Sequence, residues 1–208
     1  MVKVRAPALS LEASGSLGGA MVFSKWKGRP YVRALVRPAN PRSGGQVGVR
    51  AMFKYLAQQW AGLGAVPKAS WEDRADQKVV SPFNAYMGYN QFRWRDFLPP
   101  SQDDPAAAAD TGATMGATAA VVGVRSVTLS MIVTTPNDIW GVCVFRSTSG
   151  GFTTAFDNLI GVVPYVASSP IYLVDSPLDP DTYYYNYREF TKDGQLAAEL
   201  GEDSAVVV

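Results

Sequence analysis

The chain has 208 residues, of which 47% are hydrophobic and 18% are charged, a balance typical of a folded protein. It holds no histidine and one cysteine, Cys143, which excludes an internal disulfide and a multi-cysteine zinc site and removes the commonest general base. We therefore expect no enzymatic activity, no cofactor and no metal. No apolar run approaches the roughly 20 residues of a membrane span, and the first residues lack the apolar core of a signal peptide. We expect no membrane partner and synthesis in a cytoplasm.

Charge divides the chain into two halves. Residues 1–100 carry 15 lysines and arginines against 5 acidic residues, a balance of +10, whereas residues 101–208 carry 4 against 13, a balance of −9. Such a split indicates a different partner for each half. The alternative is that the halves attract one another, or that each is a solvated surface.

The basic half is predicted to contain a β-hairpin and two or three helices. Strand-like runs at 20–26 and 31–36 lie on either side of a Lys-Gly-Arg-Pro turn and predict the hairpin. Apolar residues at helical spacing predict an amphipathic helix over 46–63. Its apolar stripe is predicted to be Val49, Phe53, Leu56 and Trp60. Ser70 begins a capping-box pattern that predicts a short second helix, and Ser81 followed by proline predicts the start of a third.

A linker is predicted between the halves. Residues 99–116 are poor in large apolar side chains and rich in Pro, Ala, Asp, Gly and Thr. The sign of the charge changes at the same place. We therefore predict a basic anchoring region over 1–98, a linker over 99–116, a β-sandwich over 117–203 and a tail over 204–208.

Short strands at regular spacing follow the predicted linker. Apolar side chains alternate along residues 126–133, the period of a half-buried strand. Further strands are predicted at 139–146, 158–163, 171–175, 182–190 and 195–200. Strands of this length and spacing predict an all-β sandwich after an α+β N-terminal region.

Residues 178–190 contain the pattern Leu-x-Pro-x-Thr-x-Tyr, formed by Leu178, Pro180, Thr182 and Tyr184. With the valine-rich run at 142–149, this segment resembles the fibronectin type III family over residues 117–203. The resemblance implies an immunoglobulin-like sandwich in which Tyr184 is the tyrosine corner, its hydroxyl bonded to the backbone upstream. Trp140 precedes the valine-rich run and does not clearly match the core tryptophan of that family.

The basic half carries a second pattern, in residues 14–84. Its residues are Ser14, Gly15, Gly18, Gly19, Val22, Phe23, Lys27, Gly28, Tyr31, Val32, Arg33, Pro38, Asn40, Pro41, Gln46, Arg50, Phe53, Trp71, Ala75 and 81–84. This pattern resembles that of structural proteins of tailed-bacteriophage particles and of related phage-derived reading frames. The resemblance implies residence in a phage particle and brings no catalytic residues with it.

The aromatic content of the basic half predicts a docking surface. A hairpin and helices of this size bury so many large aromatic side chains only with difficulty, and aromatic residues and arginine are enriched at interfaces. The predicted docking residues are Trp26, Arg29, Tyr31, Arg33, Arg37, Arg42, Arg50 and Phe53. The alternative is an ordinary small core with a basic surface.

No group of residues predicts catalysis or metal binding. The pairs Asp103 and Asp104, and Asp179 and Asp181, lie in linker and turn sequence, where aspartate bonds the local backbone. Cys143 lies within a strand on the opposite face from its two valine neighbours, and we predict that it is buried and inert.

These observations predict a structural component of a tailed-phage particle, an accessory or decoration protein of the capsid, neck or tail. It would be made in the host bacterial cytoplasm and would dock through its basic half on capsid, portal, neck or tail subunits, in many symmetric copies. The sandwich would project, and its tyrosine face (Tyr183, Tyr185 and Tyr187) is a candidate for weak contact with neighbours or host-surface glycans.

Two other functions are alternatives. A bacterial surface or carbohydrate-associated binding module would call for a secretion signal, which the sequence lacks. A nucleic-acid-binding structural protein would use the basic residues that lie between the aromatic ones. We do not expect direct nucleic-acid binding, because the sequence holds no recognised binding module.

Overall fold

The chain forms two compact units, an N-terminal unit over Met1–Pro41 and a C-terminal unit over Arg42–Val208. The structure is a computed structural model that describes residues 3–4, 13–37, 39–40, 42–106, 115–133, 139–166 and 170–208. The predicted division, which separated 1–98 from 117–203, differs from this one. Part of the predicted linker, residues 107–114, lies outside the described residues.

The N-terminal unit is an antiparallel sheet. Its strands are β1 (Lys3–Val4), β2 (Ala13–Leu17), β3 (Met21–Trp26) and β4 (Arg29–Ala34), in the order β1-β2-β3-β4. The predicted hairpin is confirmed as β3 and β4. Lys27 and Gly28 connect the two strands with φ of 47° and 82°, the positive values that a two-residue hairpin turn requires.

Three helices begin the C-terminal unit: α1 (Gly44–Gly62), α2 (Ala65–Lys78) and α3 (Pro82–Arg95). The predicted start of α3 is confirmed, because the backbone N–H of Asn84 donates to the Ser81 hydroxyl at 3.2 Å. The predicted start of α2 at Ser70 was wrong. That hydroxyl lies inside the helix and donates to the carbonyl oxygen of Pro67 at 2.7 Å.

The buried face of α1 differs from the predicted stripe. Val49 and Phe53 are 40% and 52% exposed, whereas Leu56 is buried and Trp60 is half-buried. The residues that α1 buries are Gly48, Met52, Tyr55 and Leu56. The helix is therefore turned by about one residue from its predicted orientation, and it carries a tyrosine into the core.

Seven antiparallel strands complete the C-terminal unit. They are β5 (Met115–Gly123), β6 (Ser126–Val133), β7 (Ile139–Ser147), β8 (Leu159–Pro164), β9 (Ile171–Asp175), β10 (Asp181–Thr191) and β11 (Asp203–Val207). One sheet has the order β5-β6-β9 and the other the order β11-β10-β7-β8. The fold is therefore mixed α+β with two antiparallel sheets in its larger unit.

The last strand is not where the sequence analysis placed it. Residues 195–200 make an isolated bridge between Phe190 and Leu196. The last strand is β11, which pairs with β10 and contains most of the predicted tail at 204–208. The alternating exposed and buried side chains of β11 bring Ala205 and Val207 into the core.

One apolar core lies between the two sheets. The predicted alternation along 126–133 is confirmed, since Val127, Leu129, Met131 and Val133 are all buried there. Alternate tyrosines of β10 complete this inner core. Tyr183, Tyr185 and Tyr187 are 8%, 0% and 0% exposed, so the prediction that they form a contact surface was wrong.

A second core joins the helices to the outer face of the β11-β10-β7-β8 sheet. Trp71, Tyr86 and Trp94 of the helices belong to one buried cluster with Cys143, Phe145 and Phe190 of the sheet. The first part of the predicted linker is fixed to this assembly, because the indole N–H of Trp71 donates to the carbonyl oxygen of Gln102 at 2.6 Å. The helices therefore belong to one unit with the sheets, because they share this buried cluster with β7 and β10.

A tyrosine hydroxyl bonds back to the upstream backbone one residue before the position predicted for it. The Tyr183 hydroxyl donates to the carbonyl oxygen of Asp179 at 3.0 Å, whereas Tyr184 lies on the opposite face of β10 and is half-exposed. Of the other predicted determinants, Leu178 is buried in the inner core, Thr182 is half-buried and Pro180 is exposed.

Replacing Tyr183 with phenylalanine should lower the free energy of unfolding by about 1 kcal/mol, because the Asp179 carbonyl loses its donor while the ring remains. Tyr184→Phe is the matched control and should change stability by less than about 0.5 kcal/mol. Urea denaturation of the whole chain, followed by circular dichroism, measures both. Equal losses in the two variants would contradict this assignment of the corner.

The start of α1 requires glycine. A Cβ on Gly44 would lie 1.9 Å from the carbonyl oxygen of Asp157, in the short turn that leads into β8. Gly44→Ala should therefore lower the free energy of unfolding by about 1–3 kcal/mol through steric displacement. The control Gly88→Ala, where a Cβ meets no atom within 4 Å, should raise it by about 0.5–1 kcal/mol because alanine favours the helix. Thermal unfolding measures both changes, and a stabilised Gly44→Ala variant would contradict the close contact.

Candidate functional site

Four predicted docking residues share one face of the β3–β4 hairpin. Residues directly opposite one another in an antiparallel pair share a face, and Ser24 pairs with Tyr31, Val22 with Arg33, and Trp26 with Arg29. We call this face the arginine–aromatic face, and its four residues are Trp26, Arg29, Tyr31 and Arg33. Trp26 and Tyr31 are 64% and 42% exposed, and both arginines are exposed.

The other face of the same hairpin is mostly apolar. Met21 pairs with Ala34 and Phe23 with Val32, and Met21 and Val32 are 41% and 54% exposed, while Lys25 pairs with Pro30 at the turn end of this face. Every side chain of β4 is exposed, whereas the middle of β3, residues 22–24, is half-buried. A small sheet gains stability from a covered apolar face, so the exposed side chains of this hairpin are candidate contact residues.

The remaining predicted docking residues are not part of this face. Arg37 follows β4 and is exposed. Arg42, Arg50 and Phe53 belong to the C-terminal unit, the last of them on the exposed side of α1. The sequence analysis treated all eight residues as one surface, whereas the structure assigns them to two units.

Arg42 and Arg50 line a groove of about 570 Å³ within the C-terminal unit, which we call the basic groove. One wall is the exposed side of α1, with Lys54 and Gln58 following Arg50 along the helix. The other wall is formed by residues 160–164 of β8, together with Tyr172 and Leu173 of β9. No local sequence pattern predicts this groove, because its walls come together only when α1 packs beside β8.

The aspartates considered for chemistry serve structural roles. Both carboxylate oxygens of Asp104 accept from Arg74 at 2.7 Å, and Arg125 donates to Asp179 at 2.6 Å. Asp181 accepts from the backbone N–H of Thr182 at 2.7 Å, the local bond expected of turn aspartates. In the part of the chain that the structure describes, no group of three or more acidic or cysteine side chains is placed to hold a metal ion.

Cys143 is fully buried against the helices, on the opposite face of β7 from Val142 and Val144. Its predicted burial and orientation are confirmed. Burial raises the pKa of its thiol well above the ordinary value. The thiol therefore stays protonated and serves as an apolar packing group.

Glu189 is the buried carboxyl of β10. It is 0% exposed, and among the described residues neither of its carboxylate oxygens accepts a hydrogen bond. Burial raises its pKa from the ordinary 4.5 to about 7. Strand alternation places its side chain on the same face as the inner-core tyrosines Tyr185 and Tyr187, so this carboxyl affects the stability of the fold.

No described helix combines the length and apolar character that crossing a bilayer demands.

Comparison with known protein families gives no match, and neither does comparison with curated proteins. Among solved structures, the chain is similar to a β-1,2-glucanase from Parabacteroides distasonis, with a TM-score of 0.38 and 15% identity over 50% of this chain and 14% of that one. It is similar to a myokine, with a TM-score of 0.35 and 9% identity over 47% of this chain and 98% of that one. It is also similar to the spore cortex lytic enzyme SleM of Clostridium perfringens, with a TM-score of 0.31 and 12% identity over 45% of this chain and 27% of that one. These likenesses are too slight to indicate a function.

Glu189 should make the fold less stable as pH rises. Its pKa is about 7 when folded and about 4.5 when unfolded, so the folded state binds more protons between these values. The free energy of unfolding should fall as pH rises from about 4.5 to about 7, by on the order of 3 kcal/mol.

The Glu189→Gln variant removes this titration, so the fall should disappear from a series of urea denaturations at pH 4.5 to 8. Glu72→Gln, at an exposed position of α2, is the control and should keep the wild-type pH profile. Parallel profiles for wild type and Glu189→Gln would show that this carboxyl does not titrate in the window.

Proposed function

We propose that this chain is a non-enzymatic structural component of a tailed-phage particle, which docks on other virion proteins through the arginine–aromatic face of its hairpin. The observation that carries the proposal is the exposure of the arginine–aromatic face, with Trp26 64% and Tyr31 42% exposed beside the exposed Arg29 and Arg33. Tryptophan, tyrosine and arginine are the residues that most often dominate binding energy at interfaces. The phage-like pattern of residues 14–84 supports a virion as the place where this surface is covered.

The covering partner is expected to be an oligomeric virion surface. The side chains of Trp26 and Tyr31 on one hairpin give little affinity alone, but a particle that holds many symmetric copies adds these contacts together. The basic residues of the hairpin favour a partner with an acidic surface.

We further propose that the strands of the C-terminal unit are a fibronectin type III-like sandwich. The support is the division of seven strands into β5-β6-β9 and β11-β10-β7-β8 with an inner core between them, and the backward bond of Tyr183. The chain departs from a free-standing module in one respect, since three helices cover the outer face of the four-stranded sheet. The surface that the sandwich displays is therefore the outer face of the three-stranded sheet, where Val121, Tyr172 and Val174 are 62%, 59% and 59% exposed.

Incorporation into particles tests the proposed function. In a host that produces the phage, a Trp26→Ala, Tyr31→Ala double variant should fold as the wild type does, because both side chains are exposed, but should be lost from purified particles by at least about tenfold. Phe92→Ala is the matched control, since Phe92 is a 63%-exposed aromatic residue on α3 and should leave incorporation unchanged.

Cross-linking mass spectrometry on the same particles names the partner, and cross-links from Lys25 or Lys27 of β3 and its turn to capsid, portal or tail subunits are the expected result. The proposal fails if the wild-type chain is absent from purified particles, or if the double variant is incorporated as well as the control.

A further inference from the structure

The basic groove has one wall on α1, where cations stand beside apolar residues such as Val47 and Ala51, and one wall on β8, which we call the backbone wall because β8 ends its sheet. Arg50, Lys54 and Gln58 recur at intervals of four along α1, so their side chains lie in one row. Arg42 adds a third cation at the end of the groove, and no acidic residue lines it. All three cations are exposed. The groove is therefore a concave positive surface within a unit whose sandwich half is acidic.

The backbone wall is a sheet edge. β8 is the last strand in the order β11-β10-β7-β8, so one side of it pairs with β7 and the other faces the groove. Among the described residues, no backbone hydrogen bond is made to that outer side over 160–164. An unpaired edge of this kind is a template on which another strand pairs.

The spacings of the two walls match one kind of ligand. Alternate side chains of an extended peptide are about 6.7 Å apart, and residues four apart on a helix rise by about 6 Å. A peptide strand paired with β8 therefore presents every second side chain to the row of Arg50, Lys54 and Gln58 at nearly the same interval. Tyr172, 59% exposed, stands at the β9 side of the groove as an apolar contact for the strand.

The geometry points to a binding site for an extended acidic peptide segment, which adds to β8 as a further strand and directs alternate carboxylates at Arg50 and Lys54. A polypeptide satisfies both walls, because it offers backbone N–H and C=O groups to the edge of β8 and carboxylates to the cations. A nucleic acid or an anionic glycan would satisfy only the cations. This site does not depend on the proposed docking of the hairpin or on the chain's residence in a particle.

Fluorescence anisotropy with the full chain tests the site. The probe is a labelled peptide of about eight residues in which glutamate and valine alternate, long enough to span β8 at about 3.3 Å per residue. It should bind, and more weakly as salt rises, because charge contributes to the contact. The same peptide with lysine in place of glutamate should not bind. A third peptide, N-methylated at every residue, keeps the charges but loses every backbone N–H donor, and should bind at least about tenfold more weakly.

Charge reversal on the protein locates the contact. Arg50→Glu combined with Lys54→Glu should weaken binding of the acidic peptide at least about tenfold. Lys78→Glu, an exposed lysine on α2 outside the groove, is the matched control and should bind as the wild type does. The single variant Lys54→Glu and circular dichroism of each variant separate loss of binding from loss of fold.

Four results would overturn the inference. The first is no binding of the acidic peptide by the wild type, and the second is unchanged binding by the folded double variant. The third is equal affinity for the N-methylated peptide, which would mean that charge alone holds it. The fourth is loss of the bound peptide to a competitor. Displacement by a single-stranded oligonucleotide would assign the groove to nucleic acid, and displacement by self-association of the chain, at a concentration below that needed for peptide binding, would assign it to a second copy.

Discussion

The contact between helices α1–α3 and the outer face of the β11-β10-β7-β8 sheet determines the organisation of residues 42–208. β7 is buried along its whole first part, Ile139 to Phe145, because one of its faces meets the inner core and the other meets the helices. Trp140 belongs to the helix side, where its carbonyl oxygen accepts from the Tyr55 hydroxyl at 3.0 Å and its indole N–H donates to Gln59 at 3.2 Å. A two-part description of anchor and displayed sandwich does not hold once these side chains share one core.

The same contact decides which surfaces remain for partners. It covers the outer face of the β11-β10-β7-β8 sheet and buries or half-buries most of the large aromatic side chains of the helices, leaving Phe53 and Phe92 exposed on them. It also creates the basic groove, since α1 lies beside the edge strand β8 with its cationic row toward the opening. On the hairpin of the N-terminal unit, tryptophan and tyrosine side chains remain exposed. The acidic and basic halves of the sequence thus differ in extent from the two compact units, which meet between Pro41 and Arg42.

Much of the local structure could be predicted from the sequence. A Lys-Gly turn between two β-rich runs, a serine before a proline, and a run of alternating apolar residues each depend on neighbours a few positions away. The hairpin, the start of α3 and the core face of β6 were predicted correctly for that reason. The predicted docking residues do not all lie together, because Trp26, Arg29, Tyr31 and Arg33 share a face through local hairpin pairing, whereas Arg42 and Arg50 lie in a separate unit.

The remaining features were decided by distant parts of the chain. Tyr183, and not Tyr184, turns toward the core because pairing with β7 and β11 sets which tyrosines of β10 face inward, and a shift of one residue exchanges the two faces. The buried side of α1 is set by its contact with Phe156, Leu159 and Phe190. These residues lie about a hundred or more positions further along the chain, so the spacing of apolar residues within 46–63 could not predict that side. By itself, the sequence determined strand and helix content, the absence of histidine chemistry and the exposed hairpin. Only the tertiary structure decided that helices and sandwich are one unit with a basic groove, because that unit depends on apolar surface supplied by residues some hundred positions apart.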